Sequence, residues 1–222
     1  MEMKKAKSQQ QKLDRTNSII DAAEQLFKTN KGELPSASQI ATAAGIAKGT
    51  VYIYFTSKEA IFLTLLERHI QKWLQDIARK MQQFEENNLD DICQFLLEYW
   101  QQEPTLGQLY RISDAMLEPK VDDKFHFGFQ TRKVNEFKRL VPTFKELNPD
   151  VTAKEWNALL QRSLALIATA WVLSKPHSDL GADKHDFTKL ATSLLTPFWD
   201  ATLSKVVTLE KPKSGWRKLL GN

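Results

Sequence analysis

Residues 39–55 read Gln-Ile-Ala-Thr-Ala-Ala-Gly-Ile-Ala-Lys-Gly-Thr-Val-Tyr-Ile-Tyr-Phe, the spacing of two short helices joined by a tight turn. Ala41 is small where a second helix must cross closely, and Gly45 can take the positive φ of the turn. Ile40, Ala44, Ile46 and Val51 fill the seam between the helices. That leaves Lys48, Thr50, Tyr52 and Tyr54 on the outer face of the second helix, a cation with hydroxyl groups that reach phosphates and base edges. Lys58, opening the next helix, would meet a phosphate beside free backbone N–H groups. By spacing alone, plain helix packing explains this pair about as well as DNA binding does.

Two capping boxes flank the pair. Ser36 with Gln39 predicts a helix over Ala37 to Ala44, and Thr56 with Glu59 predicts a longer one from Ser57 to Phe84. Upstream, Ile19, Ala23, Leu26 and Phe27 recur at helical spacing and predict a helix from Lys12 to Thr29, stopped by Lys31 and Gly32. Residues 1–11 are polar and without periodicity, which predicts a mobile basic arm. Its cations Lys4, Lys5 and Lys7, with Lys12 and Arg15, could reach a groove beside a helix-turn-helix or simply keep the chain soluble.

The stretch Ile20-Asp-Ala-Ala-Glu-Gln-Leu-Phe27, followed by Ile40 to Glu59, closely resembles the N-terminal domain of the TetR family of transcriptional regulators. The resemblance implies that the helix over Lys48 to Phe55 enters the major groove, with DNA contacts at Lys48, Gly49, Thr50, Tyr52, Tyr54 and Lys58 and structural roles for Ala41, Gly45 and Val51. It further implies a homodimer with a ligand cavity in the remaining domain. Two departures stand out. Ala47 replaces the hydroxyl residue common before the lysine, removing a helix cap, and Ile53 replaces a residue often polar.

Downstream, periodicity predicts helices at Leu89 to Glu103, Leu106 to Leu117, Asp122 to Leu147, Ala153 to Lys175 and Lys184 to Val206, nine in all, with Pro142 and Pro197 expected to kink or split two of them. Only 16 of the 222 residues are glycine or proline, as long helices require. The fold class is therefore all-α: an N-terminal three-helix helix-turn-helix domain with its basic arm at 1–60, then a larger effector-binding and dimerisation domain at 61–222.

Seven aromatics fall between Phe95 and Phe129. A cavity for a hydrophobic or aromatic effector is one explanation and core packing another, with Phe95, Tyr99, Trp100, Tyr110, Ser113, Phe125, Phe129 and Trp171 as candidate lining and Asp114 and His126 as further polar groups. The stripes Trp156, Leu160, Leu164, Ile167 and Leu190, Leu194, Phe198 suit either a monomer core or a four-helix dimer interface, and the resemblance favours the dimer.

The net charge of +4 is unevenly placed: +3 over residues 1–60, −3 over 61–204 and +4 over 205–222. A single cysteine, Cys93, excludes an internal disulfide and fits a reducing compartment. The absence of an apolar leader or an 18-residue apolar run leads to a cytoplasmic expectation. There is no His-Glu-x-x-His, Gly-x-Ser-x-Gly or phosphate-cradling glycine loop, so an enzyme is not expected, nor a cofactor or metal. The cluster of His177, Asp179, Asp183, His185 and Asp186 reads as a solvated loop. Lys211 to Leu220, with Trp216, Leu219 and Leu220 among cations, leaves a peripheral membrane role as a weaker alternative. The reading is a cytoplasmic, ligand-responsive DNA-binding regulator. It is expected to be a repressor released from a palindromic operator by a small hydrophobic or aromatic effector, with an activator of the same fold as the alternative.

Overall fold

The structure, a computed structural model, describes residues 2–83, 89–175 and 186–209. Among them there are nine α-helices and no strand: α1 Glu2–Thr29, α2 Ala37–Ala43, α3 Lys48–Tyr54, α4 Lys58–Gln83, α5 Leu89–Gln102, α6 Pro104–Ile112, α7 Asp123–Leu147, α8 Ala153–Leu173 and α9 Phe187–Leu209. The all-α class and the helix count agree with the sequence reading. The chain forms two compact units, one from Met1–His69 with Gln108–Thr131, the other from Ile70–Gly107 with Arg132–Asn222.

In the first unit α1 buries Ile19, Ile20, Ala23 and Phe27. It ends as expected, with Lys31 at φ 54° and the Gly32 N–H bonded to the Phe27 carbonyl at 2.9 Å, a left-handed terminus that satisfies an orphan carbonyl. Its beginning differs from expectation. The stretch read as a mobile arm is helical from Glu2, because Lys, Gln, Ala and Glu are strong helix formers, whereas apolar periodicity cannot register a helix that is polar all round. Gln10 Nε2 donates to Asp14 Oδ1 one turn on, at 2.7 Å, supporting it locally.

The start of α4 is also shifted. Thr56 does not cap it: Ser57 Oγ accepts from the Ala60 N–H at 3.1 Å, while Thr56 Oγ1 lies 3.4 Å from Asp122 Oδ2. With the cap one residue later, the third helical position falls on Ala60 and no reciprocal box with Glu59 forms. The Ser36–Gln39 box forms as expected. A further one, Thr152 with Glu155, opens α8.

The helix predicted over Leu106 to Leu117 is really three pieces. α6 begins two residues earlier, at Pro104, where a missing N–H costs nothing. It then widens into a π-helical turn at Ser113–Leu117 and tightens into a 3₁₀ turn at Glu118–Lys120. Neither Pro142 nor Pro197 splits its helix. Both are exposed, so water can satisfy the carbonyls they leave unpaired.

Two aromatic clusters fill the second unit. Trp73 meets Trp100 and Phe137 edge-on at 6.0 and 6.3 Å, and its Nε1 donates to the Leu96 carbonyl at 2.9 Å. Phe144, Trp156 and Trp199 form a triangle with centroids 5.4 to 6.1 Å apart. Within it, Trp199 Nε1 donates to Ser163 Oγ at 2.8 Å. Burying these large rings is the main source of stability in such a core.

This packing changes the reading of α8. Trp156, Leu160, Leu164 and Ile167, expected at a dimer interface, are at most 3% exposed in the single chain and so are not available to a partner. Periodicity identifies an apolar face but not what covers it, and here the cover includes the chain's own Phe144 and Trp199. Leu190, Leu194 and Phe198 of α9 remain half-exposed.

Candidate nucleic-acid interface

The helix pair is built as its spacing demands. Gly45, at φ +65°, turns the chain, and the Ile46 N–H bonds back to the Ala41 carbonyl at 3.0 Å. Ile40, Ala41 and Val51 are buried in the seam, and Phe55 closes it. Ala47 stands at the N-cap of α3 without a side-chain bond, the consequence foreseen for an alanine there.

With Val51 anchored inward, α3 presents its opposite face outward. Lys48, Gly49 and Tyr52 are exposed, Thr50 and Tyr54 are half-buried, and Lys58 is half-buried at the start of α4. These are the residues singled out from sequence, and they occupy seven-residue α3 and the first position of α4. Tyr54 also borders an open groove of about 460 Å³, shared with Gln11, Arg15 and Ser18 of α1. The groove brings α1 to the edge of the recognition face. The cations Lys12 and Arg15 therefore ride on a helix rather than on a loose arm.

Two side-chain pairs tie α1 to α4. Arg68 Nη1 bonds Asp21 Oδ1, and buried His69 places Nε2 3.3 Å from Glu24 Oε1. The Lys28 ammonium is 2.9 Å from the same oxygen. Glu24 is consequently held down at about 2, because the His69 and Lys28 interactions outweigh the cost of burying its carboxylate.

The candidate effector residues fall in both units. Tyr110, Ser113, Phe125 and Phe129 belong to the first unit; Phe95, Tyr99, Trp100 and Trp171 belong to the second. In the first, Ser113 Oγ is spent on the Tyr110 carbonyl at 2.8 Å, and His126 Nε2 is 2.6 Å from Glu118 Oε2, which also accepts from Gln130. Burial, with the charges of Asp114 and Glu118, pushes the Tyr110 phenol up to about 12, keeping it a neutral donor. In the second unit, Trp100 and Trp171 line an open cleft of about 430 Å³ with Gln101, Lys175 and Phe187. Lys175 Nζ sits 4.4 Å over the Trp171 ring. Sequence reading missed Lys175 and Phe187, whose place on the cleft depends on how α8 and α9 pack.

His177, Asp179, Asp183, His185 and the segment Lys211 to Leu220 lie outside the described residues. Asp186, the described member of that acidic cluster, caps α9, its Oδ1 accepting from the Lys189 N–H at 3.0 Å. Cys93 is buried and its thiol is pushed up to about 11 by that burial, which leaves it unreactive. Among the described residues no helix is long and apolar enough to cross a membrane.

The N-terminal family model of "Bacterial regulatory proteins, tetR family" matches residues 19–65, and the model "Tetracyclin repressor-like, C-terminal domain" matches residues 67–182. The fatty acid metabolism regulator protein of Bacillus subtilis is 36% identical over 74 residues, which span 32% of this chain and 38% of that protein. The regulator EthR of Mycolicibacterium smegmatis is 39% identical over 59 residues, 27% of either chain. The matches thus span well under half the length of these relatives. Among solved structures, the fatty acid degradation regulator FadR of Bacillus halodurans superposes with a TM-score of 0.52 at 21% identity, over 83% of this chain and 94% of that one, a likeness of fold. These are regulatory proteins, in agreement with a non-enzymatic reading. With the second model alone covering more than half of its length, this chain belongs to the TetR family of bacterial regulators.

Proposed function

We propose that the protein is a cytoplasmic, homodimeric repressor that binds a palindromic operator through α3 and leaves it when a small apolar effector binds. The observation that carries this reading is the outward face of α3, where Lys48, Gly49 and Tyr52 are exposed while Val51 is locked in the seam. Lys48 and Lys58 supply phosphate charge; Thr50, Tyr52 and Tyr54 supply hydroxyl donors. We assign DNA binding to residues 1–60 and effector binding with dimerisation to 61–222.

On α8 the dimer reading moves from the buried stripe to the outward one, while on α9 it keeps Leu190, Leu194 and Phe198. Ala165, Leu166, Thr169, Val172 and Leu173 recur on α8 at helical spacing and are exposed or half-exposed; Leu190, Ser193, Leu194, Pro197 and Phe198 do the same on α9, which packs against α8. Two such helices from each of two copies suit a four-helix interface. A dimer presents its recognition helices about 34 Å apart, one turn of B-DNA. An effector that favours a different separation by about 3 kcal/mol would lower operator affinity about a hundredfold.

The effector is assigned to the cleft of Trp100 and Trp171. Relatives named for fatty acid metabolism make fatty-acyl compounds the first probes. An activator would use the same face, and transcription from a promoter fused to the bound sequence separates the two signs. The binding test is a salt titration on duplex DNA. Affinity should fall steeply with salt, and replacing Lys48, Tyr54 and Lys58 together by Ala should abolish specific binding. Retention of full affinity by that variant would defeat the assignment.

A further inference from the structure

We infer that Ile53 reads a thymine: its side chain packs on the C5-methyl group of one thymine in each operator half-site. The inference rests on the DNA-binding reading of α3 and gives it a base preference.

Ile53 is 78% exposed, the most exposed large apolar side chain among the described residues. A lone exposed isoleucine is ordinary on a protein surface. This one stands in the middle of the helix face that carries Lys48, Thr50 and Tyr52. Gly49 lies one turn before it on the same side, and a Cβ built there would meet no atom within 4 Å. Gly49 does not take a positive φ either. Neither packing nor backbone geometry asks for glycine at this position, and glycine is a poorer helix former than alanine. Its effect is felt outside the chain, where it lets another surface approach the helix closely.

Side chains on a helix lean toward its N-terminus, so Ile53 lies over the turn that Gly49 leaves bare. Together they form an apolar ledge bordered by polar groups. In the major groove one base edge offers an apolar group, the thymine methyl, while the edges of guanine, adenine and cytosine offer donors and acceptors that isoleucine leaves unsatisfied. Lys48 and the neighbouring hydroxyls serve the phosphates and polar edges around it.

The experiment begins by selecting duplexes from a random-sequence pool with the full chain. Each dT of the selected duplex is then replaced in turn by dU, which removes one methyl group and changes no hydrogen bond of the pair. At one position in each half-site dU should weaken wild-type binding by about fourfold, the value of one methyl group removed from water. Ile53→Ala should bind more weakly, keep the wild-type melting temperature and salt dependence, and be indifferent to dU at that position. Placing 5-methylcytosine there should recover part of the affinity that cytosine loses, in the wild type alone. If no duplex is enriched, the DNA-binding reading itself fails. If a duplex is bound but every dU is silent, or Ile53→Ala retains the full dU penalty, that reading stands and the assignment of Ile53 is overturned.

Discussion

Gly107 lies so close to Trp171 that a Cβ built on it would stand 2.3 Å from the indole ring carbons and 2.7 Å from Nε1. Trp171 is itself 4% exposed and forms one wall of the cleft with Trp100. Gly107→Ala must therefore displace the indole. Overpacking of this kind costs about 1–3 kcal/mol, against at most about 1 kcal/mol gained from better helix propensity. The expected net loss lowers the melting temperature by about 2–4 °C per kcal/mol in a protein of this size. Calorimetry of the purified variant checks it, and an unchanged or raised transition would show that the indole moves freely.

Trp199 and Ser163 offer a sharper test of the second core. The hydroxyl of Ser163 accepts from the Trp199 indole at 2.8 Å and donates to the Leu159 carbonyl of its own helix at 2.9 Å. Ser163→Ala leaves the buried indole N–H without its acceptor, and such a group costs about 1–3 kcal/mol. Thr42→Ala, whose exposed hydroxyl donates to the Ser38 carbonyl of its own helix at 3.0 Å, should be nearly neutral. Urea denaturation of the pair gives the comparison; equal effects would mean that the indole bond contributes nothing net.

Ser163 shows where sequence stops being legible. Caps, turns and seams are local, and the Ser36–Gln39 box, the Gly45 turn and the inward Val51 were all readable from a few adjacent residues. The outward face of α3 followed from them by subtraction. Ser163, by contrast, lies on the same helical stripe as Leu160 and Ile167, and nothing within α8 says that Trp199, 36 residues on, will cover it. The same ignorance of tertiary cover put four buried side chains of α8 at a dimer interface. A polar helix is hidden for the opposite reason: residues 2–11 carry no apolar period, and only their helix propensity gave notice. The π-helical turn at Ser113–Leu117 has no sequence cue of comparable strength.

Glu24 sets an acid limit on the first unit. Its carboxyl is held at about 2 in the folded chain against an ordinary 4.5, first by His69 and also by Lys28. A depressed folded value means that the unfolded chain binds the proton more readily, so the stabilisation is complete above pH 4.5 and is lost as the pH falls toward 2. Glu24→Gln should therefore be less stable than the wild type near neutrality, with the gap narrowing through that window. Urea midpoints of both proteins between neutrality and the acid limit provide the test. A gap that stays constant, or widens in acid, would rule out the pair as its source.

Ala165 lies on the outward stripe of α8 between Arg162 and Thr169, exposed in the single chain. In a two-fold interface each copy contributes the same patch, so a substitution there is felt twice. Ala165→Arg places a long cation opposite its twin or against apolar Leu166 and Leu194, while in the isolated chain it costs little because the site faces water. The expected result is a monomer by sedimentation equilibrium that keeps wild-type helicity. Binding to a single half-site should persist at low salt, and tight binding to the palindrome should be lost, since two linked contacts gain about 10²–10⁴ over one. A variant that remains dimeric would move the interface away from α8; a monomer with undiminished palindrome affinity would remove the need for a dimer altogether.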